Sequence, residues 1–247
     1  MGKERMDTGG GRGQRKRVVT SGGGGKRGFY IVVAVLLIAG IAFLSYQAAR
    51  PKGNVSQIDT TIAPIPNQGH VMGSDSAPVQ VVEFADFECP ACGSFANLTE
   101  PDVRSRLINT GQVRLRFIDF PLAMHRNTRS AHLAAWCAGD QGKFWEMHDA
   151  IFQNQDRWNG EATDHPDRPL ADIARQVGLN MSQYDSCVRS AKFWPQIEAN
   201  VQEGARQQVP STPTFIIGNQ KISIAISYDD FKKYVDAALP QARKPAK

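Results

Sequence analysis

Cys89-Pro90-Ala91-Cys92 sets two thiols three residues apart. On a helix that spacing puts both on one face, one turn apart, close enough to bond or to attack a shared partner. A β-branched apolar run, residues 79–84 (VQVVEF), ends just before them, and apolar residues at helical spacing follow: Phe95, Leu98, Val103, Leu107 and Ile108. Cys89 is therefore expected at a helix N-terminus, where unpaired N–H groups and the helix dipole favour the thiolate. That makes Cys89 the nucleophile and Cys92 the resolving thiol of a dithiol/disulfide couple. The same spacing also serves half of a zinc site or a purely structural bond. Zinc would need two more ligands, and the chain offers no second Cys-x-x-Cys and no close His pair. Redox chemistry is the favoured reading.

The elements around this turn follow from pattern. The helix predicted over 91–109 carries Pro101 inside it, which predicts a kink, and Gly111 just past its end. Residues 113–120 (VRLRFIDF) alternate apolar and polar, the period of a strand, and Pro121 closes them. The order is β-α-β. Residues 127–208 hold helix-forming segments (130–138, 143–153, 170–177, 182–190 and 194–207) with little strand signal, and so predict a helical insertion. Residues 214–217 and 221–226 flank Gly218-Asn219 and predict a hairpin. Residues 228–239 form an amphipathic helix, with Pro240 after it. The aromatics Phe144, Trp145, Phe152 and Trp158 fit a core stripe better than a substrate platform. Among the scattered histidines, His125, in the loop after Pro121, is the one placed to be an active-site neighbour.

Charge points away from nucleic acid. The net charge is +5, but residues 1–28 hold eight basic side chains against Glu4 and Asp7, which leaves the rest of the chain close to neutral. A phosphate backbone needs clustered cations on a folded surface. The basic stretch is glycine-rich and predicts a disordered tail. The uncharged run at 29–46 (FYIVVAVLLIAGIAFLSY) nearly spans a hydrocarbon core of roughly 30 Å and predicts a transmembrane helix. Cations crowd its N-terminal side, which places that end in the cytoplasm and the folded part outside. The competing reading, a cleaved signal peptide, meets only poor small-residue pairings near residues 44–50. Residues 47–77, mixing Pro51, Gly53, Pro64, Pro66, Gly69 and Gly73 with polar residues, read as a stalk.

All four cysteines lie beyond the apolar run, and an even count in an exported part raises the odds of disulfides. Cys137 and Cys187 fall in two predicted helices. A bond between them would close a loop of about 50 residues, a structural staple of roughly 4 kcal/mol in the chain-entropy model. Two free buried thiols or a second redox pair are the alternatives.

The stretch Glu83-Phe84-Ala85-Asp86-Phe87-Glu88-Cys89-Pro90-Ala91-Cys92 resembles the active-site segment of DsbA-family proteins. Phe120-Pro121-Leu122, residues 141–149 (QGKFWEMHD) and Thr212-Pro213-Thr214-Phe215 resemble that family's stretches in the same order, so the likeness runs from about residue 70 to 239. It implies an α/β, thioredoxin-like fold with an inserted helical domain: 78–126 and 209–240 forming the thioredoxin-like part, 127–208 the insertion, and 241–247 a tail. It also implies that Thr212-Pro213 is a cis-proline loop facing the dithiol, and that Glu83 is the buried acid relaying protons near Cys92. A charge in that apolar strand is costly unless paired or protonated; a solvated strand-end glutamate is the other reading. Asp86 and Glu88, close to Cys89, are expected to oppose its thiolate.

Two departures bear on direction. The family's strong oxidases have a histidine where this chain has Ala91, and a valine where it has Thr212. A donor at 91 would stabilise the thiolate, so its absence predicts a milder potential. The function implied is oxidation of exported proteins with free cysteines, with a reductase or isomerase of the same fold as the alternative. From another class, a membrane-tethered binding module with a structural or metal-holding Cys-x-x-Cys is the rival. The implied reoxidant is a quinone-linked membrane partner of the DsbB or vitamin K epoxide reductase-like type; no cofactor is expected in the chain itself.

Overall fold

The computed structural model describes residues 25–49, 54–59, 61–63, 66 and 68–242. The chain divides into two units, Met1–Pro51 and Lys52–Lys247. The first contributes helix α1 (Gly25–Ala49). Its window Gly28–Ser45 has a mean hydropathy of 2.5 and no buried residue; among the described residues it is the one helix long and apolar enough to cross a membrane. Most of the predicted basic tail, residues 1–24, lies outside the described residues, as do 243–247 of the predicted C-terminal tail.

The second unit is built on a six-stranded sheet. Its strands are β1 (Asn54–Gln57), β2 (His70–Met72), β3 (Val79–Ala85), β4 (Val113–Asp119), β5 (Thr214–Ile217) and β6 (Gln220–Ser223). They lie in the order β1-β6-β5-β3-β4-β2. β3 pairs β4 in parallel, and every other pairing is antiparallel. β3 is the centre: six of its seven residues are buried, as a strand covered on both faces requires. The hairpin β5–β6 turns through Gly218 at φ +59°, a backbone conformation that glycine adopts without strain.

Two strands arise inside 47–77, which corrects the expected stalk. β1 pairs with β6 through Val55↔Ile222, and β2 with β4 through Val71↔Arg116. With four and three residues they are too short for a period to register, and their partners lie 43 to 169 residues away in the chain. The helix after the dithiol is broken as Pro101 predicts: α2 (Pro90–Leu98), then α3 (Glu100–Val103), then a π-helical turn, Arg104–Ile108. Six helices follow β4: α4 (Thr128–Gly139), α5 (Phe144–Gln153), α6 (Gln155–Trp158), α7 (Asp167–Gln176), α8 (Met181–Arg189) and α9 (Trp194–Arg206). α10 (Tyr228–Ala242) closes the fold. It runs past Pro240, where the sequence pattern put its end; in a last turn a proline forfeits little.

The helices after β4 share one core with the sheet. Phe87, Cys92 and Phe117 from the β-α-β half pack in a single cluster with Ala135, Met147, Ile151 and Trp158 from the helical half. Phe144, Phe152 and Trp158 are buried there, as a core stripe would be. On the other side, Phe95, Phe215 and Phe231 join α2, β5 and α10. Cys137 on α4 and Cys187 on α8 are joined by a disulfide, with Cα atoms 5.8 Å apart.

Candidate active site

β3 delivers the chain into a short loop that ends at Cys89, the N-cap of α2, with extended backbone (φ −70°, ψ 122°) and Pro90 at the first helical position. Proline suits that position because its missing N–H has no partner there in any helix. Cys89 and Cys92 are not bonded to each other. Cys89 is 7% exposed and Cys92 0%, so only Cys89 presents sulfur to an incoming group.

Their neighbours separate the two thiols further. Cys89 is lowered to about 6, first by the Cys92 thiol donating to it, then by Thr212 and the N–H groups of Cys92 and Ala91, against the opposing effect of burial. Cys92 is pushed well above the ordinary thiol value, mainly by burial and then by the adjacent Cys89. One sulfur is built to be a thiolate and the other a thiol.

The loop before β5 lies over this pair. Cys89 Sγ donates to the Thr212 carbonyl at 3.4 Å, and the Thr212–Pro213 peptide is cis. The Thr212 Oγ1 is buried and has no partner at hydrogen-bond distance among the described residues.

Glu83, in β3 between Phe117 of β4 and Phe215 of β5, is 3% exposed. Burial raises its carboxyl well above the usual range, the charge of Glu100 raises it further, and Arg104 opposes. Its proton is thus held more tightly than in a free carboxyl, and its charge, when present, raises the Cys92 thiol. The strand-end, solvated alternative does not describe this side chain.

Asp86 and Glu88 are placed differently from the sequence expectation. Asp86 is fully buried and turned inward, accepting from Glu88 N and Leu122 N at 2.8 Å, from His125 Nδ1 at 2.7 Å, and from the Thr128 hydroxyl. Burial alone would raise its carboxyl, but His125, His132 and Thr128 hold it well below the usual range. Glu88 accepts from Asn127 N at 2.7 Å and Gly160 N at 2.5 Å, pinning the helical half to the loop. Both charges are spent on donors, which a like-charge argument from sequence proximity misses. His125 is raised by its bond to Asp86 and feels Cys89 as well. It lines a cleft of about 240 Å³ beside Pro90, together with Met124 and Arg126.

Several residues that position the site carry no sequence signal. Gln155, on α6, donates through Nε2 to the carbonyls of Phe87 at 2.7 Å and Cys89 at 3.1 Å. Gly93 makes room for it, since a Cβ there would meet Gln155 Oε1 at 2.9 Å. His132 bridges inward, its Nδ1 2.5 Å from Asp119, which also accepts from Trp136 and Asn200. These partners lie 13 to 81 residues apart in the chain, so only folding brings them together. Among the described residues no group of three or more His, Cys, Asp or Glu side chains is placed to share a metal ion.

Comparison with known proteins agrees with this geometry. The family model described as Thioredoxin matches residues 66–237. Disulfide bond formation protein D of Bacillus subtilis is 27% identical over 174 residues, covering 68% of this chain and 76% of that protein. The probable disulfide bond formation protein D of Bacillus cereus is 27% identical over 209 residues, covering 83% and 92%. The Na(+)/H(+) antiporter NhaA 3 of Salinispora tropica is 32% identical over 189 residues, 75% of this chain but 27% of that protein. The chain thus spans about a quarter of the length of the antiporters it matches. In structure, oxidised BdbD of Bacillus subtilis superposes with a TM-score of 0.62 at 24% identity, over 76% of this chain and 99% of that one. Wolbachia pipientis α-DsbA1 superposes with a TM-score of 0.64 at 22% identity, over 74% and 96%. The chain belongs to the thioredoxin family.

Proposed function

We propose that this chain is a membrane-anchored catalyst that works outside the cytoplasm and introduces disulfides into exported proteins through Cys89 and Cys92. The observation that carries the reading is the asymmetry of the pair: Cys89 reachable and lowered to about 6, Cys92 sealed and raised. In the oxidised couple, a substrate thiolate attacks Cys89 Sγ and forms a mixed disulfide. The Cys89–Cys92 bond breaks, and its electron pair goes to Cys92 Sγ, which takes a proton from Glu83. A second substrate thiolate attacks the mixed disulfide, the substrate leaves oxidised, and Cys89 departs as a thiolate that is stable at neutral pH. Thr212 and Pro213 cover the couple and present the backbone against which the substrate segment lies.

The membrane assignment rests on α1 and on the cations before it, which favour an N-terminus in the cytoplasm. A quinone-linked membrane protein, of the DsbB or vitamin K epoxide reductase-like type, would return the dithiol to the disulfide, and the cofactor would be that partner's. In this reading residues 127–208 act as a helical cover on the thioredoxin-like part, and Cys137–Cys187 is its staple.

The deciding experiment is the equilibrium reduction potential of the full chain in glutathione buffers. A value between about −120 and −180 mV supports the oxidase, and one near about −270 mV would assign a reductase instead. A Cys89 that never exchanges with glutathione would return the chain to the tethered binding-module class.

A further inference from the structure

The residues that lead into α2 are gripped at two points by the helical half of the fold. The Glu88 carboxylate is taken by the N–H groups of Asn127 and Gly160. The carbonyls of Phe87 and Cys89 are both taken by Gln155 Nε2, at 2.7 and 3.1 Å. Of these partners, Gln155 is the one that bonds to the nucleophilic residue itself. The Cys89 carbonyl also accepts the first helical bond of α2, from Gly93 N at 3.0 Å. Gln155 therefore shares an acceptor with the helix N-terminus whose Ala91 and Cys92 N–H groups serve the Cys89 sulfur. The helix break at Asn154 sets Gln155 at the start of α6, where its amide reaches the reactive turn.

Gly93 is the counterpart. It lies buried inside α2, where alanine is favoured over glycine, and its backbone is not in the left-handed region that would ask for one. A Cβ at this position would meet Gln155 Oε1 at 2.9 Å and Cδ and Nε2 at 3.4 Å. The missing side chain thus leaves room for the amide and for little else. Two buried carbonyls deprived of their donor are costly. Without the amide the loop has to shift until they find another. Cys89 would shift with it, and the N–H groups its sulfur depends on lie two and three residues away.

We propose that the contact between Gln155 and Gly93 is the device by which the helical half sets how readily Cys89 takes up and releases a disulfide, Gln155 being the positioning residue and Gly93 the space it needs. The inference rests on the dithiol reading above. Gln155 touches no reacting sulfur; it acts through the Cys89 backbone. With the amide in place the reduced couple is favoured, because Cys89 then stands as a well-served thiolate, so loss of the amide makes the disulfide a weaker oxidant.

The test is the pH profile of Cys89 alkylation and the glutathione equilibrium of the full chain, each measured beside thermal unfolding. Gln155→Met keeps the length of the side chain but has no N–H to donate. It is expected to raise the alkylation midpoint by about one pH unit and to lower the equilibrium constant for reduction by glutathione about tenfold, or about 30 mV in potential. Gly93→Ala is expected to do the same while the melting temperature stays at or above the wild-type value, since alanine suits the helix. A loss of packing alone would move the melting temperature and leave the midpoint in place. The double variant is expected to match either single one, because both remove the same contact. Wild-type midpoints and potentials in both single variants, or shifts that add in the double variant, would overturn the proposal while leaving the dithiol reading intact. If wild-type Cys89 does not exchange with glutathione at all, the oxidoreductase reading itself fails and the positioning role falls with it.

Discussion

Cys137 and Cys187 reach each other from α4 and α8 across 50 residues of chain, in a core dense with alanines, with no charged group needed to hold them. Cys89 and Cys92 sit at a strand-to-helix junction in the same core, but there donors, a helix N-terminus and titratable groups also reach the sulfurs. The first pair restricts the unfolded chain; the second is arranged so that one sulfur ionises and the other does not. The same element therefore takes opposite roles according to whether donors and titratable groups reach its sulfurs, and each role can be removed without the other.

The largest effect should come from Cys89→Ser, which removes the only exposed sulfur of the couple. Disulfide transfer to a reduced model protein is expected to fall by more than about a thousandfold. Cys92→Ser should instead accumulate the mixed disulfide, visible by mass spectrometry. Next is the other pair. Replacing Cys137 and Cys187 together by alanine should cost about 4 kcal/mol in guanidinium unfolding, while iodoacetamide should alkylate Cys89 with the same midpoint as in the wild-type protein, expected near pH 6. A shifted midpoint would mean that the two pairs are not independent.

The loop network gives a smaller effect, on stability and its pH dependence. Asp86 is held below its usual range, so its contribution is present above an ordinary carboxylate value of about 3.9 and fades as pH falls below it. His132, opposed by burial but raised to about 9 by Asp119 and Asp86, works the other way. Its contribution is complete below about pH 6.5 and is lost as pH rises through about 9. Thermal unfolding of the oxidised protein should show both limbs, and Asp86→Asn should flatten the acid limb at a cost of about 2 kcal/mol at neutral pH. Smallest is Ala91→His, which adds a donor beside Cys89. Its potential should rise by about 30 mV for each unit by which the Cys89 thiol is lowered further, read in glutathione buffers.

The reactive turn was legible in the sequence because its information is local. Spacing, a preceding β-branched run and a following helical period all fall within 30 residues, and Pro101 marks its break at the place where α2 gives way to α3. The insertion helices were legible for the same reason, through runs of helix-forming residues with little strand signal. What escaped was held by distance. β1 and β2 owe their existence to partners across the sheet. Asp86 looked like a charge beside a thiolate, and only the return of Leu122, His125 and Thr128 turns it into an acceptor. Gln155 looked like any polar helix residue, since nothing in its own neighbourhood marks it out.

Phe87 is one member of a core cluster, but it also belongs to the loop that ends at Cys89, and it packs against Phe117, His132, His148 and Phe152 from both halves of the fold. The consequence is cooperativity. A thermal or chemical opening that detaches the helices after β4 also uncovers the ring behind the reactive turn. Loss of the lowered Cys89 thiol and unfolding should therefore coincide on heating.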